Sequence, residues 1–433
     1  MHHYANTAYP LDGVKVWKPF RVKENVTDTV KSEWEDIDEL GLYVHLPFCK
    51  SRCLYCEYTV LSGEEADMTE EYIDSLVKEI DHYTKFMIGK TAVGLDIGGG
   101  TPTVLDVKEI DRVMTAILKA YRLTDDFGIS IETTPIIAND YDKIKGLREL
   151  GIDRISMGLQ TIDPRILEQV GRADNSVSKI RKATENIRQA GFERYNLDLM
   201  YGFKNQSVDS FISTLEFAVG QEPEYITLYR NRFKGTRIEK DAKFVDLASV
   251  NELYGIAFKI LNENGFNANV GKNTFSRLSD PGTSAYLTQR VIEGTPYLGM
   301  GLGAQNMAAN SLYYNHGAAS KRMNRYQKLI SEGELPVQDL YLLPADEIMA
   351  KMISVSFYFG YINKDSFRNK FGVSLKEQFG DEMQFLTTNG LMEHNNELFQ
   401  LTKQGKDAIN GIIPLFYSDR SKENLLSKVN KYV

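Results

Sequence analysis

All three cysteines of the 433-residue chain, Cys49, Cys53 and Cys56, fall within one short stretch in the spacing C-x3-C-x2-C. Cysteines used singly as core residues do not gather this way. The spacing is too tight for the paired C-x2-C knuckles of a structural zinc site, and no fourth cysteine completes a tetrahedron. With every cysteine in one place there is no disulfide framework either. Three thiolates on one loop can hold three corners of a cubane iron–sulfur cluster, leaving the fourth iron without a protein ligand. An open iron is a place for chemistry.

The elements that must position this loop are legible on both sides of it. From Gly41 onward, short β-type runs alternate with amphipathic helical patterns, which predicts βα units and a parallel sheet. The predicted strands are Leu42–Leu46, Val93–Ile97, Gly128–Glu132, Arg154–Leu159, Tyr195–Met200 and Tyr225–Tyr229. Between them lie predicted helices at Thr69–Phe86, Lys108–Tyr121, Asp140–Leu150, Ser176–Ala190 and Val208–Val219, with stop signals such as Gly151 and Gly191. Six such units fit an incomplete α/β barrel, (β/α)6, better than an eight-unit one.

In parallel βα folds the reactive loops follow the carboxyl ends of the strands, and residues suited to binding cluster there. Gly98-Gly99-Gly100-Thr101-Pro102 follows the second strand. Its glycines permit close backbone approach and are expected to leave N–H groups free for a ligand. Glu132 ends the third strand, Gln160 the fourth, Arg172 follows a short helical stretch, and Asp198 lies in the fifth. On residue type alone, Glu132 and Asp198 can accept hydrogen bonds at the strand ends and Arg172 can donate them. Arg230 and Arg232, flanking Asn231 after the sixth strand, are suited to substrate carboxylates.

The stretch Tyr43-Val44-His45-Leu46-Pro47-Phe48 before Cys49, and Tyr55 just before Cys56, resembles the cluster loop of the radical S-adenosylmethionine (SAM) superfamily. Within it the chain looks like the oxygen-independent coproporphyrinogen III oxidase-like family. The resemblance continues through the GGGTP segment, the pattern R-x-S-x-G-x-Q from Arg154 to Gln160, Gly171-Arg172, the D-L-x-Y-G from Asp198 to Gly202, and the YLGxGxGA stretch from Tyr297. It implies a TIM-like radical SAM barrel with a C-terminal winged-helix-like α+β module. The implied division is an N-terminal arm at 1–40, the barrel at 41–240, a family-specific extension at 241–340 and the C-terminal domain at 341–433. The Asn395-Asn396 turn between two short β-runs supports such a module on residues alone.

The resemblance also implies the cofactors, a [4Fe–4S] cluster on Cys49, Cys53 and Cys56 and SAM. It places Tyr43, Gly99 and Glu132 against the SAM that is reductively cleaved to a 5'-deoxyadenosyl radical. Tyr55, Gly100, Thr101, Gln160, Arg172 and Asp198 would line a neighbouring pocket that holds a second SAM in parts of the family, and Asn231 joins the cofactor-binding set. His45 is expected to hydrogen-bond beside the cluster and orient the loop.

Three activities follow from the resemblance. The favoured one is methylation or alkylation of an sp2 carbon in a small molecule, aromatic, quinone or tetrapyrrole-like, using the second SAM. The alternative is coproporphyrinogen-oxidase-like or other tetrapyrrole chemistry, by decarboxylation or in haem degradation. Against true coproporphyrinogen oxidation, the chain carries Tyr58 where the oxidase has a further cysteine two residues after the last ligand. A haem chaperone is the non-enzymatic possibility, but the HNxxYW segment of those proteins is here Leu287–Ile292, without His, Asn or Trp. Radical chemistry of this kind needs an electron donor such as flavodoxin or ferredoxin and anaerobic conditions.

Composition narrows the setting. Apolar content of 42% and charged content of 25% are those of an ordinary globular protein. A net charge of -8 argues against a nucleic-acid surface and an anionic-membrane anchor. No apolar run reaches the roughly 18 residues of a spanning helix, and the opening Met1-His2-His3-Tyr4 carries no signal pattern. A cytoplasmic, reducing location is expected.

Overall fold

The computed structural model describes residues 9–10, 13–62, 68–320 and 322–429. Parts of the predicted N-terminal arm, residues 1–8 and 11–12, lie outside the described residues.

Six strands alternate with five helices along the first half of the chain. The strands are β1 (Glu39–Leu46), β2 (Thr91–Gly99), β3 (Ile129–Thr133), β4 (Arg154–Gln160), β5 (Arg194–Tyr201) and β6 (Tyr225–Arg230). The helices are α1 (Thr69–Thr84), α2 (Val107–Ala120), α3 (Tyr141–Glu149), α4 (Val177–Gln189) and α5 (Val208–Val219). Helix starts are set by side chains that take up otherwise orphaned amides. Asp140, Ser176 and Ser207 accept from the N–H three residues on, and Asp106 with Glu109 forms a capping box. Gly151 and Gly191 end their helices at φ of 91° and 85°, a conformation costly for any residue with a side chain.

Period-two alternation then sorts each strand into two faces. Leu42, Val44, Leu46, Leu95, Ile97, Ile155, Met157, Leu197, Leu199, Ile226 and Leu228 join one core with Leu76, Ile80, Ile110, Ile117, Ile144, Ile180, Ile187, Phe211 and Leu215 of the helices. Each such burial contributes about 1.5–3 kcal/mol. The opposite face carries Tyr43, Asp96, Glu132, Ser156 and Asp198, so what faces away from the helices is polar.

β1 to β6 pair in sequence order, all parallel, as an arc rather than a closed ring. The sheet is larger than the six strands predicted. Helix α6 (Leu247–Glu263) leads to β7 (Thr274–Ser276), antiparallel to β6. At the other edge β8 (Tyr297–Met300) pairs parallel with β1, and β9 (Gln305–Met307), β10 (Ser311–Asn315), β11 (Val337–Leu342) and Arg21–Val22 continue antiparallel to make thirteen strands with Arg122–Leu123. The Tyr297–Gln305 segment, predicted as a glycine-rich stretch beside the pocket, is thus a strand and a turn. Gly299 sits opposite Tyr43, and a Cβ there would lie 2.4 Å from the Gln305 carbonyl oxygen.

Glu79 ties this added sheet to α1. Its buried carboxyl accepts from Gly301 N–H at 2.8 Å, Asn315 Nδ2 at 2.7 Å and the Tyr326 hydroxyl at 2.6 Å, while burial lifts it to about 7. Glu79→Ala leaves the Gly301 N–H and the Tyr326 hydroxyl without an acceptor and Asn315 Nδ2 with Gly301 O alone. It is expected to lower the stability read by urea unfolding by about 3 kcal/mol or more.

The C-terminal part begins with α7 (Ala345–Ser356) and continues through β12 (Tyr361–Asn363), α8 (Lys364–Phe371), α9 (Leu375–Thr388), β13 (Met392–His394) and β14 (Leu398–Leu401). Its three strands form a separate antiparallel sheet in the order β12-β14-β13, a winged-helix-like arrangement around Phe367, Phe379, Leu386 and Phe399. The same core reaches Tyr286, Tyr297, Ile348, Met349 and Trp17, whose indole donates to Glu347 at 2.8 Å. Trp34 instead joins the barrel core and donates to the Tyr313 hydroxyl. No helix among the described residues is long and apolar enough to cross a membrane.

Candidate active site

The cluster loop leaves β1 at Leu46 and is fastened along both flanks. Cys49 N–H donates to Leu61 O at 3.0 Å and Leu61 N–H to Pro47 O at 2.7 Å, while Leu54 N–H reaches Val170 O at 3.1 Å. His45 is buried and bridges strand and loop. Its Nε2 faces the Thr59 carbonyl at 3.1 Å and its Nδ1 the Tyr43 hydroxyl at 3.1 Å. A carbonyl only accepts, so Nε2 carries the proton and Nδ1 accepts from Tyr43. Burial holds the ring neutral, at a pKa of about 4. His45 therefore orients the loop, as expected from its position.

The glycine run behaves differently from the expectation of free amides. Gly100 N–H donates to Leu46 O at 2.9 Å and Thr101 N–H to Phe48 O at 2.8 Å, and Gly99 N–H serves the Glu132 carboxyl. The segment is spent on gripping the cluster loop. A Cβ on Gly100 would lie 2.5 Å from Phe48 O, and Gly99, at φ of 121°, packs against the His45 ring. The glycines are needed because two backbones meet here.

Cys49, Cys53 and Cys56 line a cavity of about 1230 Å³ enclosed by the barrel interior and the C-terminal part. Tyr43, Tyr55, Gly99, Gly100, Thr101, Glu132, Gln160, Arg172 and Asp198 line the same cavity. Thr101 Oγ1 stands 3.5 Å from Cys49 Sγ. Arg172, half-buried, donates Nε to Cys53 Sγ at 3.1 Å and Nη1 to Gly158 O at 2.8 Å. Tyr55 also hydrogen-bonds Cys53 and packs on Phe203. Asp198 accepts from Ser156 Oγ and Asn196 Nδ2, both at 2.8 Å. Gln160 sits at φ of 68° with its Oε1 buried and unpartnered.

Asn231 is not brought to the cavity wall. It is 2% exposed, and neither polar atom of its amide has a partner among the described residues. Arg230 and Arg232 do line the cavity, but Arg232 is committed to Glu57 at 3.1 Å. His316 is half-buried and away from the wall.

The electrostatics of the chamber follow from enclosure. Glu132 is exposed to the cavity, and desolvation by the surrounding protein, reinforced by Asp198 and Asp96, pushes its carboxyl up to about 8. Burial raises Asp96 to about 6 and raises Asp198 as well. A group of enclosed carboxyls favours a cationic ligand, which restores their ionised form.

These features fit the cofactors implied by the sequence. No three His, Cys, Asp or Glu side chains among the described residues are close enough to hold a single metal ion. A cubane spreads its ligands over several iron corners and asks for thiolates around a space rather than about a point. SAM carries an ammonium and a sulfonium for the carboxyls, hydroxyls for Glu132, and polar edges for the unpartnered Gln160 Oε1. When bound, the cluster supplies the electron that splits SAM.

Three cavity residues escaped the sequence reading. Asp96 was detectable as a carboxylate in the middle of an apolar strand. Lys351 interrupts the apolar run Ile348–Ile353 of α7. Arg290 sits in a π-helical turn, Gln289–Glu293, that has no sequence signature.

Comparison with known proteins agrees with this geometry. Residues 43–218 match the family model described as the radical SAM superfamily. The oxygen-independent coproporphyrinogen III oxidase of Salmonella typhimurium is 26% identical over 395 residues, covering 87% of this chain and 85% of that protein. The heme chaperone HemW of Lactococcus lactis is 26% identical over 391 residues, covering 87% and 97%. The structure of coproporphyrinogen III oxidase (HemN) from Escherichia coli superposes with a TM-score of 0.77 at 23% identity, over 92% of this chain and 94% of that one. The fold is the partial TIM-like barrel of that structure. The radical SAM match over residues 43–218 and the relatives named for coproporphyrinogen III oxidase and heme chaperone HemW support a HemN/HemW-like radical SAM family, whose cofactors are a [4Fe–4S] cluster and SAM.

Proposed function

We propose that this protein starts radical chemistry on a large, unsaturated small molecule of tetrapyrrole type, and that the compartment at Tyr55, Gln160, Arg172 and Asp198 takes a second SAM as methyl or alkyl donor to an sp2 carbon. The observation that carries this reading is the size and lining of one cavity. At about 1230 Å³ it exceeds the roughly 300–1,000 Å³ of an ordinary small-ligand site. It also offers separate carboxyls, Glu132 and Asp198, for two cationic ligands. Glu132 and Tyr43 stand beside the Gly99 edge, whereas Asp198 and Gln160 stand beside Arg172, so each set serves one ligand. Tyr229 and Tyr358, hydrogen-bonded to each other, add flat aromatic wall for an unsaturated skeleton.

The second reading is coproporphyrinogen-oxidase-like chemistry, after the name of the oxidase relatives, here taken as decarboxylation of propionate side chains. The length of the match to the Salmonella typhimurium protein favours it. Tyr58 weighs against it, because it lines the cavity where the oxidase resemblance asks for a cysteine. A heme chaperone role has least support from the residues, since the Leu287–Ile292 segment places Arg290 rather than a haem ligand in the cavity.

The test uses SAM labelled in its methyl group, a reductant and a series of reduced and oxidised tetrapyrroles. Transfer of the label with release of S-adenosylhomocysteine supports the first reading. Loss of carbon dioxide without S-adenosylhomocysteine replaces it with the second. No turnover of any tetrapyrrole removes the substrate class. In the first case Asp198→Asn, which keeps the shape but not the charge, is expected to cut product roughly 100-fold while leaving 5'-deoxyadenosine release within a few fold. Equal loss of both would count against a separate second compartment.

A further inference from the structure

Two cations on the side of the cavity built by segments after the barrel have no counter-ion among the described residues. Lys351, on α7, is 6% exposed and lines the cavity, and its ammonium has no hydrogen bond or ion pair among the described residues. Arg290 lines the same wall. Its guanidinium donates Nη1 to the Tyr286 hydroxyl at 3.0 Å and Nη2 to the Tyr297 hydroxyl at 3.3 Å and Gln305 Oε1 at 3.2 Å. It also lies 4.0 Å over the Tyr297 ring. All of these partners are neutral. Asp96 feels the Arg290 charge, but its Oδ2 is held by Ser284 at 2.8 Å and it forms no ion pair among the described residues.

A buried charge without a partner is strongly unfavourable, and two like charges near one another are worse. Burial, helped by the neighbouring Arg290 charge, brings the Lys351 amine down to about 7. An arrangement that would be costly in the empty protein is what an anion site looks like before its ligand arrives. The planar Arg290 fork suits a carboxylate, and Lys351 adds a point charge. The flanking surface is aromatic, with Tyr43 stacked on Tyr286 at 6.1 Å and Tyr314 near Gln305.

We propose that Arg290 and Lys351 form an anion site that takes a carboxylate of the substrate, whose unsaturated skeleton lies along Tyr286 and Tyr297. This rests on the reading of the cavity as a substrate chamber. Because Lys351 belongs to α7, the site also couples the C-terminal part to substrate binding.

The experiment measures binding of coproporphyrin III and of its tetramethyl ester to cluster-reconstituted protein by fluorescence quenching. Wild-type protein is expected to prefer the free acid roughly tenfold or more. Lys351→Met is expected to erase that preference and Lys351→Arg to keep most of it, with iron content and Tm reporting intact folding. A preference retained in both Lys351→Met and Arg290→Met overturns the site. Equilibrium dialysis with SAM decides whose carboxylate is held: a parallel loss of SAM affinity in Lys351→Met would assign the site to SAM and overturn the substrate assignment. If neither porphyrin binds the wild type, the tetrapyrrole reading fails, and the anion site is decided with 2-naphthoate against 2-naphthamide. A rise in Tm with the acid alone, lost in Lys351→Met, supports the site, and no difference between acid and amide overturns it.

Discussion

Replacing Cys53 with alanine is expected to reduce 5'-deoxyadenosine formation to background in protein that remains folded. The three thiols sit on one loop whose course is set by strand-like contacts on both flanks, so the other two cannot shift to cover a missing corner. Cys53 also receives Arg172 Nε at 3.1 Å, and a guanidinium beside a thiolate stabilises its charge. Loss of an outer partner of a metal ligand costs roughly 10–100-fold, and loss of a ligand costs more. Arg172→Gln should therefore fall in that intermediate range while Cys53→Ala falls below it. The measurement is nucleoside release by mass spectrometry beside iron content and circular dichroism. A Cys53→Ala protein that cleaves SAM at the wild-type rate would contradict the role of the loop.

The second large effect is expected from a residue with no chemistry of its own. Gly100→Ala puts a methyl group 2.5 Å from Phe48 O and 2.8 Å from Pro47 C. Both are backbone atoms at the entrance to Cys49, so no side-chain rotation relieves the contact. Either the Gly98–Thr101 segment or the cluster loop must move, breaking the Gly100–Leu46 and Thr101–Phe48 hydrogen bonds. Overpacking of this kind costs about 1–3 kcal/mol where something can yield. Iron retained after reconstitution is expected to fall several-fold and SAM cleavage by roughly tenfold or more. Gly255→Ala is the matched control. That glycine lies in the middle of α6 with nothing within 4 Å of a new Cβ. The substitution is expected to raise stability by about 0.5–1 kcal/mol. Normal iron content in Gly100→Ala would mean that the glycine run does not position the loop.

Much of the barrel was legible because its signals are local. Strand alternation such as Leu95-Asp96-Ile97, caps at Asp140, Ser176 and Ser207, and stops at Gly151 and Gly191 each depend on a few neighbouring residues. The predicted strand positions overlap all six parallel strands. The edge strands were not legible, because Tyr297–Met300 becomes a strand only by meeting β1 more than 250 residues earlier in the chain. The site divides in the same way. Residues at strand ends could be read from the βα rhythm, and twelve of the thirteen expected positions line one cavity. Arg290 and Lys351 could not, since each owes its place to the packing of a later segment against the barrel mouth. The glycine run was recognised but its hydrogen bonds were not, because the partners of Gly100 and Thr101 lie in another βα unit.

The most direct test of the account is anaerobic reconstitution of the wild-type protein with iron and sulfide, followed by dithionite and SAM, with nucleosides read by mass spectrometry. The expected product is 5'-deoxyadenosine, formed only when iron, reductant and SAM are all present. A protein with its iron–sulfur cluster in place that releases no 5'-deoxyadenosine would contradict it.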